Sequence, residues 1–483
     1  MHKPNKVVFI RFPKNLQKKS HPTETVWPFS IGIAGTILKR LGFSIKIIDL
    51  QVEENQRYDN AMQAILSLDM DMLFVQYETL SLCLASSFCA QLRKVKENII
   101  VIGFGQHASA LPRELIESHG ADICITTDLE FVIEELVHAI QNDSLVKLKN
   151  IAYKDCEKVI IKESAVPDFH PDSLPFVDPS LFQLTRYRRK KFPKPFFWGK
   201  DWGFVRTSLG CPYHCIFCSP LLRHSIEKAY RAHSIGYIYR QIKYYKEEFG
   251  LRTFSMEDDI FSIDEDRTLR LCDALRSLRI RWVVDGARAD RLSAALLKMM
   301  KQAGCYGIGI GIESGSQNIL DSLGKQQNRE KIKECALTIK KTGMLLVGYV
   351  MVGAPRETEH EVEETFRLIR EIAPHVLYAH YFIPYPGSQA YELFKEKLFL
   401  AHMTHYRYPR VNFSNMDAIV LRNCMKTLYA RYYLSFSYLK EYITGRLKYA
   451  LFDIHEVMLL KDAIVFIMRG NQKDETIEKI ESL

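Results

Sequence analysis

Residues 207–220 read TSLGCPYHCIFCSP and follow directly on the short apolar run GFV at 203–205. Cys211, Cys215 and Cys218 stand there in a C-x3-C-x2-C spacing. Three thiolates on one short loop can hold three irons of a four-iron, four-sulfur (4Fe-4S) cubane and leave the fourth iron without a protein ligand. A structural zinc site wants four ligands, usually from paired CxxC motifs, and only His214 and His224 lie close by. The spacing favours the cluster with one open iron.

Outward from this loop, GFVRTSLG, TFSMEDDIF, RWVVDGAR, YGIGIGIES, LLVGYVMVG and VLYAHYFI form six strand candidates, with helical stretches such as EHEVEETFRLIREI between them. Six βα units predict a partial (β/α)6 barrel over 196–399. Barrel chemistry belongs at the carboxyl ends of the strands, where Cys211, Asp258, Glu313, Gly353 and Tyr385 fall. Upstream, KVVFIRF, FSIKIIDL, DMLFVQY, NIIVIGFG and DICITT read as five strands with helices between or after them. That α/β pattern predicts a doubly wound parallel sheet over 1–150, with ligands at strand ends bearing Gly103, Gly105, Gln106 and His107. The Pro- and Asp-rich segment 151–195 reads as a surface linker, and 400–483 as a helical region covering the barrel.

Of the 483 residues, 47% are hydrophobic and 25% charged, which is ordinary for a folded protein. No apolar run is long enough to span a membrane, and the N-terminal stretch lacks the features of an export signal. Eleven scattered cysteines fit a reducing, cytoplasmic setting, in which clustered cysteines read as ligands. The net charge of +9 is modest, and the basic run RYRRKKFPK at 186–194 reads as a solvated linker, so nucleic acid is not implied.

The cysteine loop, its place after the first barrel strand and the aromatic Phe217 before its last cysteine resemble the radical S-adenosylmethionine (SAM) superfamily. That resemblance implies that the open iron chelates SAM and that one electron cleaves it to a 5′-deoxyadenosyl radical. It places Phe217 by the adenine, and one of Glu257, Asp258 and Asp259 on the methionyl amine. It brings Glu313 and Ser314 to the methionyl and ribose groups. Gly348 and Gly353 stand where the family's fifth strand lets its backbone approach adenine, and PYPGS at 384–388 matches the turn after the sixth.

A doubly wound domain ahead of such a barrel resembles the cobalamin-binding subgroup, in particular the segment 102–137 from IGFGQHAS to EELV. The resemblance implies a corrinoid between the domains, facing strand ends that bear Tyr77, Gly103 and Gly105, with His107 either approaching the corrin or capping its helix. The D-x-H-x-x-G loop that supplies a lower histidine is not found in PKNLQKKSHPTETVWPFSIG at 13–32, so His21 is expected to leave cobalt alone. The implied activity is methyl transfer to an unactivated carbon of a small-molecule or natural-product substrate, with electrons from a reducing partner such as flavodoxin or ferredoxin. A radical rearrangement or cyclisation, and a protein that only binds or senses through its cluster, are the alternatives.

Overall fold

The computed structural model describes residues 4–13, 26–52, 58–162, 169–189, 201–218, 230–398, 411–435 and 438. The first five strands, β1 (Lys6–Arg11), β2 (Ser44–Asp49), β3 (Met72–Gln76), β4 (Ile100–Phe104) and β5 (Ile123–Ile125), pair in parallel in the order β2-β1-β3-β4-β5. Alternation along β1 explains why both faces are covered. Val7 and Phe9 pack with Ile31, Ala34 and Leu38 of the helix Phe29–Arg40, while Val8 and Ile10 pack with Leu82, Phe88 and Leu92 of the helix Leu82–Val95.

The expected linker begins too early. β6 (Ile151–Asp155) and β7 (Lys158–Ile161) form a hairpin that adds two antiparallel strands to the same sheet beside β5. Nor does the segment after it simply lie over the surface. Val177 and Phe182 fill the space above Gly32, where an added Cβ would stand 2.7 Å from Val177. Tyr237 and Tyr245 of the helix Ile235–Phe249 donate hydrogen bonds to the carbonyls of Leu174 (3.0 Å) and Val177 (2.9 Å). Tyr187 donates to Asp49 at 2.6 Å. Pro and Asp residues suggested solvent, but the intervening apolar residues form a strap, and Trp27, Phe182, Phe204 and Tyr245 belong to one core joining sheet, strap and barrel.

The barrel has six parallel strands: β8 (Trp202–Val205), β11 (Thr253–Met256), β12 (Arg281–Ala287), β13 (Cys305–Glu313), β14 (Leu345–Val352) and β15 (Val376–Tyr381), adjacent in that order. Two short strands, β9 (Ser208–Leu209) and β10 (Arg231–Ala232), pair antiparallel at its mouth. Side-chain caps start the helices that follow the strands: Ser234, Asp264, Ser293 and Asn328 accept first-turn N–H groups, and Thr358 with Glu361 forms a capping box. The expected C-terminal helix is Ala418–Tyr433, and it lies along the outer edge of β15. No helix among the described residues is long and apolar enough to cross a membrane.

Candidate active site at the barrel mouth

The chain leaves β8 at Arg206 and is tied down before it reaches Cys211. Thr207 and Ser208 each donate both N–H and hydroxyl to Asp258, and Gly210 N–H donates to Asp259 at 2.8 Å. Burial holds the Asp258 carboxyl up at about 6 despite these donors. Two of the acids expected at the cofactor therefore serve the loop: Asp258 faces the β8–β9 backbone, and Asp259 fixes the residue before Cys211. Glu257 alone of the three shares the barrel's inner face, beside Ser255.

Beyond the first cysteine the loop is held from two further sides. Ile216 N–H donates to Leu323 O at 3.0 Å, and Ala390 N–H donates to Ile216 O at 2.8 Å. Gly324, at φ +63°, lets this contact close, since a Cβ there would stand 3.1 Å from His214 O. Tyr213 lies under the Arg288 guanidinium, 3.6 Å from its ring centre, and accepts a 2.6 Å hydrogen bond from Arg291. Cys211 and Cys218 are partly exposed and Cys215 is buried. Burial pushes the Cys215 thiol up, while Lys325 and Arg288 draw it back toward the thiolate. Cys272, Cys305 and Cys335 lie buried in the packed shell around the barrel, away from this loop.

Residues 205–369 match the model of the radical SAM superfamily. This barrel is a radical SAM domain. Its cofactors are accordingly a 4Fe-4S cluster and SAM. An uncharacterized methyltransferase of Pyrococcus horikoshii is 25% identical over 431 residues, covering 86% of this chain and 91% of that protein. The cobalamin-dependent SAM radical enzyme OxsB, solved with aqua-cobalamin and SAM bound, superposes with a TM-score of 0.70 at 16% identity, over 95% of this chain and 70% of its own. The methyltransferase TsrM of Kitasatospora setae, solved with cobalamin and a [4Fe-4S] cluster, gives a TM-score of 0.64 at 15% identity, over 81% of this chain and 78% of its own.

The radical SAM domain's donor set fits a cubane. One braced loop carries the three thiols, and two cations lie beside the buried one. Among the described residues no three His, Cys, Asp or Glu groups gather around a single-ion position. A cubane instead takes each thiolate on a different iron.

Glu313 ends β13 at φ +59°, and its carboxylate accepts a 2.7 Å hydrogen bond from Lys325 Nζ. Gly311 makes room for that pair, because a Cβ there would meet both groups, 2.4 Å from Glu313 Oε1 and 2.6 Å from Lys325 Nζ. A carboxylate beside an ammonium matches the zwitterionic methionyl end of SAM, so Lys325 joins Glu313 as a candidate the sequence did not single out. Other expected contacts are absorbed by the fold. Ser314 is fully buried, 3.1 Å from the Thr365 hydroxyl and accepting Ser316 N–H. Gly348 faces outward, giving room to Ile312 and Pro374, and Gly353 adjoins Leu421. Phe217 packs with Met351 and Phe382 in a small apolar cluster at the mouth.

In the N-terminal domain Tyr77 is buried, donating to His119 O at 2.9 Å, and its ring adjoins Gly103. Both belong to the sheet's packing rather than to the face toward the barrel. Gly105 has φ +104°, a turn that a side chain would resist. His107 is fully buried with Nδ1 3.1 Å from Thr79 Oγ1, so it neither caps its helix nor reaches the cleft. His21 lies outside the described residues.

What does face the barrel is the turn after β5. Glu130 stands 3.9 Å from Arg206, and burial, with the neighbouring Glu130 charge, pushes the Asp128 carboxyl well up while Arg206 draws it back. Thr126 Oγ1, Thr127 Oγ1 and both oxygens of Glu130 are buried and find no hydrogen-bond partner among the described residues.

Proposed function

We propose that this chain is a cobalamin-dependent radical SAM methyltransferase acting on an unactivated carbon of a small-molecule substrate, with electrons from a reducing partner such as flavodoxin or ferredoxin. The observation that carries the corrinoid part is the row Thr126, Thr127 and Glu130 with its unpartnered buried atoms, opposite Arg206. A buried carboxylate without donors is costly. A ligand rimmed with primary amides would offer donors to Glu130 and acceptors or donors to the two hydroxyls, and a corrin ring has such a rim. The pairings to OxsB and TsrM, whose structures hold cobalamin, support the same reading.

When bound, cluster and SAM supply a one-electron oxidant of C–H bonds, and the corrinoid supplies a methyl group. The chain's own residues position these partners. Cys211, Cys215 and Cys218 would hold three irons, and Asp258, Asp259 and Arg288 keep their loop in place. Glu313 and Lys325 would orient the methionyl group. Thr126, Thr127 and Glu130 would hold the corrin edge over the mouth, so that the reacting carbon meets both cofactors from one cavity.

The test is anaerobic reconstitution followed by gel filtration. Retained hydroxocobalamin, and 5′-deoxyadenosine released on reduction with SAM, are expected. Deoxyadenosine without retained corrinoid would leave radical chemistry that uses no methyl transfer. Cluster absorbance surviving replacement of all three loop cysteines by alanine would refute the site itself.

A further inference from the structure

Gly348 of β14 faces outward to Ile312 and Pro374, so the next residue, Tyr349, faces the barrel interior. Tyr349 pairs with Gly311, and Val350 after it pairs with Glu313, which puts the phenol at the level of the proposed methionyl site. Gly309 clears its path, since an added Cβ there would stand 2.9 Å from both Tyr349 Cε2 and Asp285 Oδ1. The hydroxyl crosses β13 and donates to Asp285. Burial, and then the Asp285 charge, push this phenol well above its usual range, so it keeps its proton.

Tyr349 is also the first of a row of phenols that leads out of the barrel. Tyr378 of β15 stacks on it with ring centres 5.6 Å apart at 10°, and the exposed His380 stacks on Tyr378 at 6.3 Å. The Tyr378 hydroxyl is pushed up by burial and feels both Asp285 and Tyr429. Tyr429, on the helix Ala418–Tyr433, bonds the N–H and carbonyl of Ala379, the residue beside Tyr378, at 2.9 and 3.1 Å. Tyr433 stacks on Tyr429 at 6.0 Å and 9°, and is half-buried at the outer surface. The row therefore crosses the wall of the barrel. Bonding to the edge of β15 accounts for Tyr429 and Tyr433. It does not account for two stacked phenols inside, where Val, Ile and Leu are the usual filling and Val283 and Val347 do fill part of the space.

We propose that Tyr349, Tyr378, Tyr429 and Tyr433 form a relay that carries oxidising equivalents out of the barrel when a carbon radical is stranded there. The inference rests on the radical chemistry proposed above and adds a protective function to it, because a site that handles reactive intermediates must suppress their side reactions. A stranded carbon radical takes the hydrogen atom of the Tyr349 hydroxyl. The phenolic O–H bond breaks, a stronger C–H bond forms, and a phenoxyl radical remains. An electron and a proton from Tyr378 restore Tyr349, those from Tyr429 restore Tyr378, and those from Tyr433 restore Tyr429. At Tyr433 a low-potential one-electron donor, with a proton from water, ends the sequence.

The relay is tested first without cofactors, in the full-length protein with 3-aminotyrosine, a more easily oxidised analogue, at position 349. Flash photolysis of a ruthenium tris-bipyridyl complex with persulfate oxidises tyrosines at the surface, and electron paramagnetic resonance should then show the aminotyrosyl radical. Tyr378→Phe keeps the stack but cannot be oxidised, so it should lose most of that signal. Tyr391→Phe, at a half-buried tyrosine outside the row, should retain it. Absence of the aminotyrosyl signal, or an equal signal with and without Tyr378→Phe, would overturn the inference. The second arm uses reconstituted enzyme with SAM and reductant but no substrate. Here Tyr378→Phe should inactivate after fewer molecules of 5′-deoxyadenosine released, and should gain oxidised or adenosylated residues by mass spectrometry. Equal damage in parent and variant would also overturn it. If no deoxyadenosine forms, the radical reading itself fails, and the photolysis alone decides the relay.

Discussion

Glu313 shows how one residue of the proposed site was legible and its partner was not. The run GIGIGIES marks a strand ending in an acid, a local pattern that places Glu313 at the barrel mouth. Lys325 lies twelve positions on, past the helix Gln317–Ser322, and only the folded chain brings it to 2.7 Å. With side chains 8% and 11% exposed, the pair is nearly closed to solvent. Lys325→Met leaves a buried carboxylate uncompensated, so it should cost about 3 kcal/mol of unfolding free energy and weaken SAM binding about tenfold or more. Denaturant titration and equilibrium dialysis check the two effects, and Glu313→Gln added to Lys325→Met should restore much of the stability. A second acid carries a pH signature. Glu357 accepts the N–H groups of Gly353 and Ala354 from a buried position that raises its carboxyl to about 7. The native state then binds this proton more tightly than the unfolded chain, for which the ordinary value is 4.5. Stability is therefore full below that value and falls as pH rises toward 7, by up to about 3 kcal/mol. Glu357→Gln should flatten the pH dependence in that window, measured by urea unfolding from pH 4.5 to 8.

At the scale of elements, a six-stranded barrel leaves an edge, and β15 is one of its two outer strands. The helix Ala418–Tyr433 closes that edge with two tyrosines one helical turn apart. Tyr433 donates to Leu377 O at 2.9 Å and accepts Leu377 N–H at 3.1 Å, and Tyr429 does the same for Ala379 at 3.1 and 2.9 Å. The i, i+4 spacing of the helix matches the i, i+2 spacing of the strand, and the rings stack 6.0 Å apart. Each hydroxyl thus replaces the pairing that a seventh strand would give. Phenylalanine at either position should lower stability by about 1 to 3 kcal/mol with an unchanged denaturant slope, and the double variant should aggregate on mild heating as the strand edge opens. All six barrel strands and the first five of the N-terminal sheet were readable, because apolar runs bounded by turns carry a local signal. The strap at 169–187 was not. Its Pro and Asp residues read as loop, while Val177 and Phe182 bury themselves only because Gly32 and the Ile235–Phe249 helix stand opposite.

For the molecule as a whole, function depends on how the sheet meets the barrel. Several contacts fix that relation: Lys39 pairs with Asp178 at 2.8 Å, Thr36 accepts Asp178 N–H at 3.0 Å, and Arg206 lies over Phe29 at 4.7 Å. The join is packed, yet among the described residues it encloses Glu130 with neither oxygen hydrogen-bonded and two threonine hydroxyls unpartnered. A ligand that satisfies these groups should therefore stabilise the assembly as well as bind to it, by the linkage between occupancy and unfolding. Hydroxocobalamin in hundredfold excess over its dissociation constant should add about 2.7 kcal/mol and raise the melting temperature accordingly. The bound spectrum should be that of a corrinoid without histidine below cobalt, since His107 is fully buried beside Thr79 and His119 is hydrogen-bonded to Ser86 and Glu114 inside the sheet's packing. Glu130→Leu removes the buried charge and should leave the free protein equally or more stable while abolishing most of the corrinoid-induced shift. A shift of the same size in that variant would place the corrinoid elsewhere. A loss of stability in the free protein would mean that Glu130 serves the Arg206 contact rather than a ligand.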